Sequence, residues 1–109
     1  MANTFKNGYL DLTASYQDAI TAASVTGTGI VLTVRATNIH ASNDGTVTVE
    51  IVDGTSGQSE ITHELTVPNG TSVEIAGTSK LVLETGDKVQ AKADATSTIE
   101  LFVSWLHIT

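Results

Sequence analysis

The chain has 109 residues, no cysteine, and twelve acidic residues against five basic ones, for a net charge of −7. That length holds one domain and a thin core. The missing thiols exclude disulfides and thiolate metal sites, and Lys6, Arg35, Lys80, Lys88 and Lys92 stand singly, without the clustering that phosphate contacts need.

No direct binding of nucleic acid is therefore expected. No apolar run reaches the roughly 18 residues of a helical membrane span, so no membrane partner is expected either. The opening Met1-Ala-Asn-Thr-Phe-Lys6 lacks the apolar core of a secretory signal, so no export by that route is expected. The acidic surface favours solubility and a basic or mixed partner surface.

In chain order, residues 1–8 read as an N-terminal arm that Phe5 would dock, and 9–109 as the folded domain. Tyr9 to Ala14 and Tyr16 to Thr21 read as a strand pair or one bent strand. Ala14 to Ser24 also allows a weak helix, although no apolar stripe at helical spacing supports it. Ile30 to Thr37 is a clear strand, with Ile30, Leu32, Val34 and Ala36 on the expected core face. Ser42-Asn-Asp-Gly45 is a turn. Thr46 to Val52 alternates, with Val47, Val49 and Ile51 inward, and Asp53 to Gly57 turns again. Ile61 to Val67 puts Ile61, Leu65 and Val67 on one face and ends at Pro68, which cannot donate to a ladder. Short strands follow at 72–76 and 80–83, then a turn at Thr85-Gly-Asp87, then Val89 to Asp94.

The last strand, Thr98 to Ile108, carries the strongest signal. Ile99, Leu101, Val103 and Trp105 alternate onto one face, while Phe102, Leu106 and Ile108 occupy the other. A strand with one wet face does not place three large apolar groups on it. The pattern predicts a second cover for that face, supplied by a partner because so small a domain has little material for another layer. The whole chain predicts an all-β fold: a single antiparallel β-sandwich, jelly-roll-like, of seven to nine short strands at roughly ten-residue spacing.

Catalytic and metal chemistry finds little support. His40, His63 and His107 would have to converge to hold zinc, and lone strand histidines are usually neutral and hydrogen-bonded. Asn43-Asp44-Gly45 and Asp53-Gly54 lack the alternating ligands and closing Glu of a calcium loop and read better as hairpin turns. Glu50, Glu60, Glu64 and Glu74 fall at outward strand positions, where solvated carboxylates are expected rather than a hydrolytic pair. Gly27-Thr-Gly29 opens no helix and makes no phosphate loop. No enzyme activity, catalytic residue or cofactor is expected.

Three stretches carry a resemblance: Met1-Ala-Asn-Thr-Phe-Lys-Asn7; Ile20-Thr-Ala-Ala-Ser24 followed by Ile30-Val-Leu-Thr-Val34; and Leu81-Val-Leu-Glu-Thr-Gly-Asp-Lys-Val-Gln-Ala-Lys-Ala-Asp94 leading to Ile99 and Leu106-His-Ile-Thr109. Together they resemble small virion proteins of tailed bacteriophages, especially those of marine and cyanobacterial hosts. The proline that such proteins often carry before the Ile30 strand is absent here. The resemblance implies a structural role in the virion: a head decoration (cement) protein, made in the host cytoplasm and seated on the capsid surface. It implies a homo-oligomer, commonly a trimer, that contacts the major capsid protein and ties capsomers together by avidity. Phe5, Phe102, Leu106 and Ile108 are the expected oligomer or capsid contacts. A neck, tail or fibre component is the alternative within the virion, and a carbohydrate-binding module the alternative outside it.

Overall fold

A computed structural model describes residues 2–54, 57–76, 80–94 and 99–109. They form nine strands: β1 (Asn3–Asp11), β2 (Gln17–Ile20), β3 (Thr28–Asn38), β4 (Gly45–Val52), β5 (Gln58–Val67), β6 (Ser72–Glu74), β7 (Leu81–Leu83), β8 (Lys88–Ala93) and β9 (Ile99–Ile108). Thr98, Met1, and Thr55 and Ser56 of the expected Asp53–Gly57 turn lie outside the described residues.

One sheet runs β1-β9-β3-β6, with β7 also against β3, and the other runs β2-β8-β4-β5. All pairings are antiparallel. β6 and β7 pair with successive parts of β3, at Arg35–Thr37 and Gly29–Val31, and so act as one interrupted strand. Each sheet is then four strands wide, and the chain changes sheet at every connection except β4–β5 and the β6–β7 interruption. This is the strand order of a double-sheet jelly roll.

The core lies between the sheets. Val31, Val34, Leu101 and Val103 of the first sheet meet Val47, Val49, Val89 and Ala91 of the second, all buried. Trp105 is also buried there, and it fits because Gly29, diagonally across the β3–β9 ladder, has no side chain. A Cβ on Gly29 would lie 3.1 Å from the indole Cε3.

Four local features differ from the sequence reading, each for a physical reason. Residues 3–8 form no arm ahead of the domain; they are the first part of β1, in continuous register with β9 from Asn3↔Ile108 to Asp11↔Glu100. The weak helix at 14–24 is replaced by β2 and a single 3-10 turn at Ala22–Ser24. β3 is bulged between Val31 and Thr33, so Val31, Val34 and Ala36 face the core while Ile30 and Leu32 are only half-buried. An extra residue in one strand reverses the alternation on one side of the bulge. Finally, Asn43-Asp44-Gly45 carries the chain from one sheet to the other and closes no hairpin, whereas Asp53-Gly54 does lie in the β4–β5 connection.

That crossover is held by a buried amide. Asn38 Nδ2 donates to the carbonyls of Asn43 (3.0 Å) and Val67 (2.9 Å), and its Oδ1 accepts the His40 N–H (2.8 Å). His40 Nδ1 in turn accepts the N–H groups of Ser42 and Asn43. At the other end, buried Asp87 accepts the Gly54 and Glu84 N–H groups, each at 2.9 Å, and joins two connections. Asn38→Ala strips partners from three backbone groups in a mostly dry site. It is expected to lower unfolding free energy by about 2–4 kcal/mol in a denaturant titration, with little change in the far-ultraviolet spectrum of the folded state.

Candidate assembly surface

Residues that stand opposite in a ladder share a face, so the pairing register maps the outer side of the first sheet row by row. Phe5 lies beside Leu106, Leu106 beside Ile30, and Ile30 beside Val82. This makes an apolar row across four strands. Two pairs along, Tyr9 lies beside Phe102, Phe102 beside Arg35, and Arg35 beside Glu74. Between them runs a polar row, Asn7, Ser104 and Thr33. The two apolar rows are about 14 Å apart, given the rise of a strand.

These side chains are open to solvent to very different degrees. Tyr9 is 85% exposed, Phe5 75%, Val82 60% and Phe102 43%. Leu106, Ile108 and Ile30 are half-buried among their neighbours. Isolated apolar residues on a surface are ordinary, whereas several on one sheet face make that face a candidate interaction surface. The four expected contact residues, Phe5, Phe102, Leu106 and Ile108, are therefore brought onto one face. Sequence reasoning missed Ile30 and Val82 as members of it. Ile30 was assigned inward because the bulge was not foreseen. The signal available was the run Ile30-Val31-Leu32, whose phase alternation cannot fix, and Gly29, whose missing side chain makes room for Trp105.

The rim is charged. Asp11 and Glu100 pair at one end of the face, next to Thr37. Arg35 is the cation within it, and the Glu74 carboxylate accepts the Val34 N–H at 2.9 Å. A shallow cleft of about 250 Å³ runs between Tyr9, Phe102, Thr37, Asp11 and Glu100.

The outer face of the second sheet is polar. Glu50, expected to be solvated, is only 2% exposed. It does point outward, but Gln90, its partner across the ladder, donates to its Oε1, and Tyr16 packs over it. Burial pushes the Tyr16 hydroxyl above its usual 10.0, helped by the charges of Glu50 and Glu60 and by a hydrogen bond to Glu50. Lys92 Nζ sits 4.8 Å from the centroid of the Tyr16 ring.

The histidines do not converge. His107 is buried, 5.2 Å from the Trp105 ring, and its Nε2 accepts the Thr26 N–H at 3.2 Å. His63 is solvent-facing and meets Glu60 at 2.8 Å and Glu64 at 3.7 Å. Among the described residues no group of three or more His, Asp or Glu is arranged to hold a metal ion, and no helix is long and apolar enough to cross a membrane.

No protein-family model matches the sequence, and a search of curated proteins returns no match.

The Glu60 hydrogen bond, then its charge, raises the His63 pKa above the ordinary 6.5. A folded-state pKa above the unfolded one stabilises the fold at pH below the unfolded value and is lost as pH rises through the folded one. The ring resonances of His63 are expected to titrate with a midpoint above 6.5 in an NMR pH series, and Glu60→Gln to bring that midpoint down. An unchanged midpoint in the variant would show that the pair does not form in solution.

Proposed function

We propose that this protein is a structural component of a phage virion, most specifically a capsid decoration protein. It self-associates, and the outer face of its first sheet is the surface that docks on the head. The single observation that carries the reading is the set of exposed apolar side chains Phe5, Tyr9, Val82 and Phe102 on the side of the sheet away from the core. A face of that kind is hidden in use. Two further points support it. The sequence resembles small virion proteins of tailed phages over much of its length. The double-sheet jelly roll is an architecture shared by viral capsid proteins and lectins, although architecture alone does not assign function. The major capsid protein is the partner this reading requires, and many weak symmetric contacts supply the avidity.

The experiment is a particle assay. Purified particles are expected to carry on the order of hundreds of copies, as repetition over a capsid lattice demands. Phe102→Asp combined with Leu106→Asp is expected to abolish incorporation while leaving the isolated subunit folded, because both side chains point away from the sandwich core. Normal incorporation of the double variant removes the face from the mechanism. A copy number from about six to a few dozen moves the protein to the neck or tail, whose rings have low-order symmetry.

One observation favours a second reading. Tyr9 and Phe102 border a cleft with Asp11, Glu100 and Thr37, and aromatic platforms beside carboxylates and hydroxyls suit sugars. Carbohydrate binding predicts retention on a glycan array that Tyr9→Ala abolishes without altering incorporation into particles.

A further inference from the structure

We infer that β1 is a self-pairing edge, through which two copies join their first sheets into one continuous sheet about a two-fold axis at Asn7. This contact uses the strand edge rather than the sheet face, and it does not rest on the virion reading.

A sandwich of two open sheets has four edges, and an open edge recruits other strands unless it is blunted. β6 and β7 are three residues each and interrupted. β2 is four residues with a register shift. β5 is long, but its pairing with β4 shifts register twice, Glu64 sits at φ 47°, and Glu60, His63 and Glu64 load it with charge. β1 has no interruption, no register shift and no left-handed residue: its nine residues pair with β9 in one continuous register. Its one blunting cation is Lys6, which is exposed on the core side of the strand with Nζ 5.4 Å from the Trp105 ring centroid.

The hydrogen-bond phase identifies which residues face the open side. Ala2 and Thr109 exchange both backbone bonds, at 3.1 and 2.9 Å, and Leu12 donates to Ile99 at 2.9 Å. Hydrogen-bonded pairs alternate along an antiparallel ladder. The even-numbered residues of β1 therefore bond to β9. Asn3, Phe5, Asn7, Tyr9 and Asp11 aim their N–H and C=O groups at the free edge.

A second β1, antiparallel and centred on Asn7, matches this edge. Asn7 meets its own copy, Phe5 meets Tyr9, and Asn3 meets Asp11. Each is a pair of the bonding type, so five pairs exchange about ten hydrogen bonds. No like charges face each other, since Asp11 lies opposite Asn3 and Lys6 opposite Gly8. Phe5 and Tyr9, the two most exposed aromatics, become cross-strand aromatic pairs, a favourable combination in sheets. The row Val82-Ile30-Leu106-Phe5 of one copy then runs directly into Tyr9-Phe102 of the other.

The test is hydrogen exchange combined with light scattering over a concentration series. The expected result is a dimer in which the amides of Phe5, Asn7 and Tyr9 become protected as concentration rises, while Lys6 and Gly8 are protected throughout. Asn7→Pro removes an N–H that β9 does not use, a position where an edge strand tolerates proline. It is expected to weaken self-association about tenfold or more. A monomer at millimolar concentration overturns the inference, as does any oligomer in which those odd-numbered amides still exchange freely. Should Asn7→Pro fail to fold, the amide pattern of the unaltered chain decides alone. Failure here leaves the face-docking proposal standing, because Phe102 and Leu106 lie outside the edge.

Discussion

A sandwich of two sheets has two inner faces and can shelter only one side of each strand. β9 shows the consequence most sharply. It sits between β1 and β3, and its inner side supplies Ile99, Leu101, Val103 and Trp105 to the core. Its outer side, Phe102, Leu106 and Ile108, has no third layer above it among the described residues. The cost of wetting that side is proportional to apolar area, and nothing within the described residues offsets it. The partial shelter of Leu106 and Ile108 comes from neighbours in the same sheet, which cannot cover a ring projecting as far as Phe102.

The same constraint explains the asymmetry between the two outer faces. On the second sheet, polar side chains satisfy the outward Glu50 locally: Gln90 donates to it, Tyr16 hydrogen-bonds to it, and Lys92 sits over the Tyr16 ring. On the first sheet the outward groups include exposed rings and aliphatics, Phe5, Tyr9, Val82 and Phe102, set among polar and charged residues that do not bury them. The fold thus separates a polar face whose charges are met locally from a mixed face with exposed apolar groups, and its connections are tied down at both ends. Asn38 and Asp87, one at each group of crossovers, make buried hydrogen bonds that tie the connections down.

The sequence made the all-β class and most strand positions legible, because alternation survives wherever one side is core and the other polar. It failed where that premise failed. Residues 1–8 read as an arm, and only Tyr9 onward as strand, because the alternation of β1 is inverted: Phe5 and Tyr9 lie on the outer side, while Thr4, Lys6 and Gly8 lie on the core side. A strand whose greasy side is the exposed one does not register as half-buried. The phase of β3 was lost at a bulge, since Ile30, Val31 and Leu32 are all apolar and only pairing with β9 decides which one turns inward. Glu50 was placed on the correct face but in the wrong environment, because its cover comes from Gln90, forty residues away in sequence and opposite in space. Asn38 carried no local mark of its three-way clamp. The contact residues on β9 were legible for the converse reason: both faces of one strand are written within ten consecutive positions.

Charge limits what can complete the first sheet. Each copy carries a net charge of −7, so copies repel at distances beyond direct contact, an effect that salt screens within about 10 Å at 0.1 M. Self-association must then draw on short-range terms: backbone hydrogen bonds at the β1 edge, and apolar contact between Phe5 and Tyr9. Those terms persist or strengthen as salt rises. Docking onto a basic or mixed lattice draws on long-range attraction and weakens as salt rises. On the proposed reading, pairing at the edge would hold or tighten as salt rises, whereas the electrostatic part of docking on a lattice would weaken. A building block that pairs first through its edge would offer the larger surface with doubled charge, so pairing itself would strengthen the pull toward such a lattice.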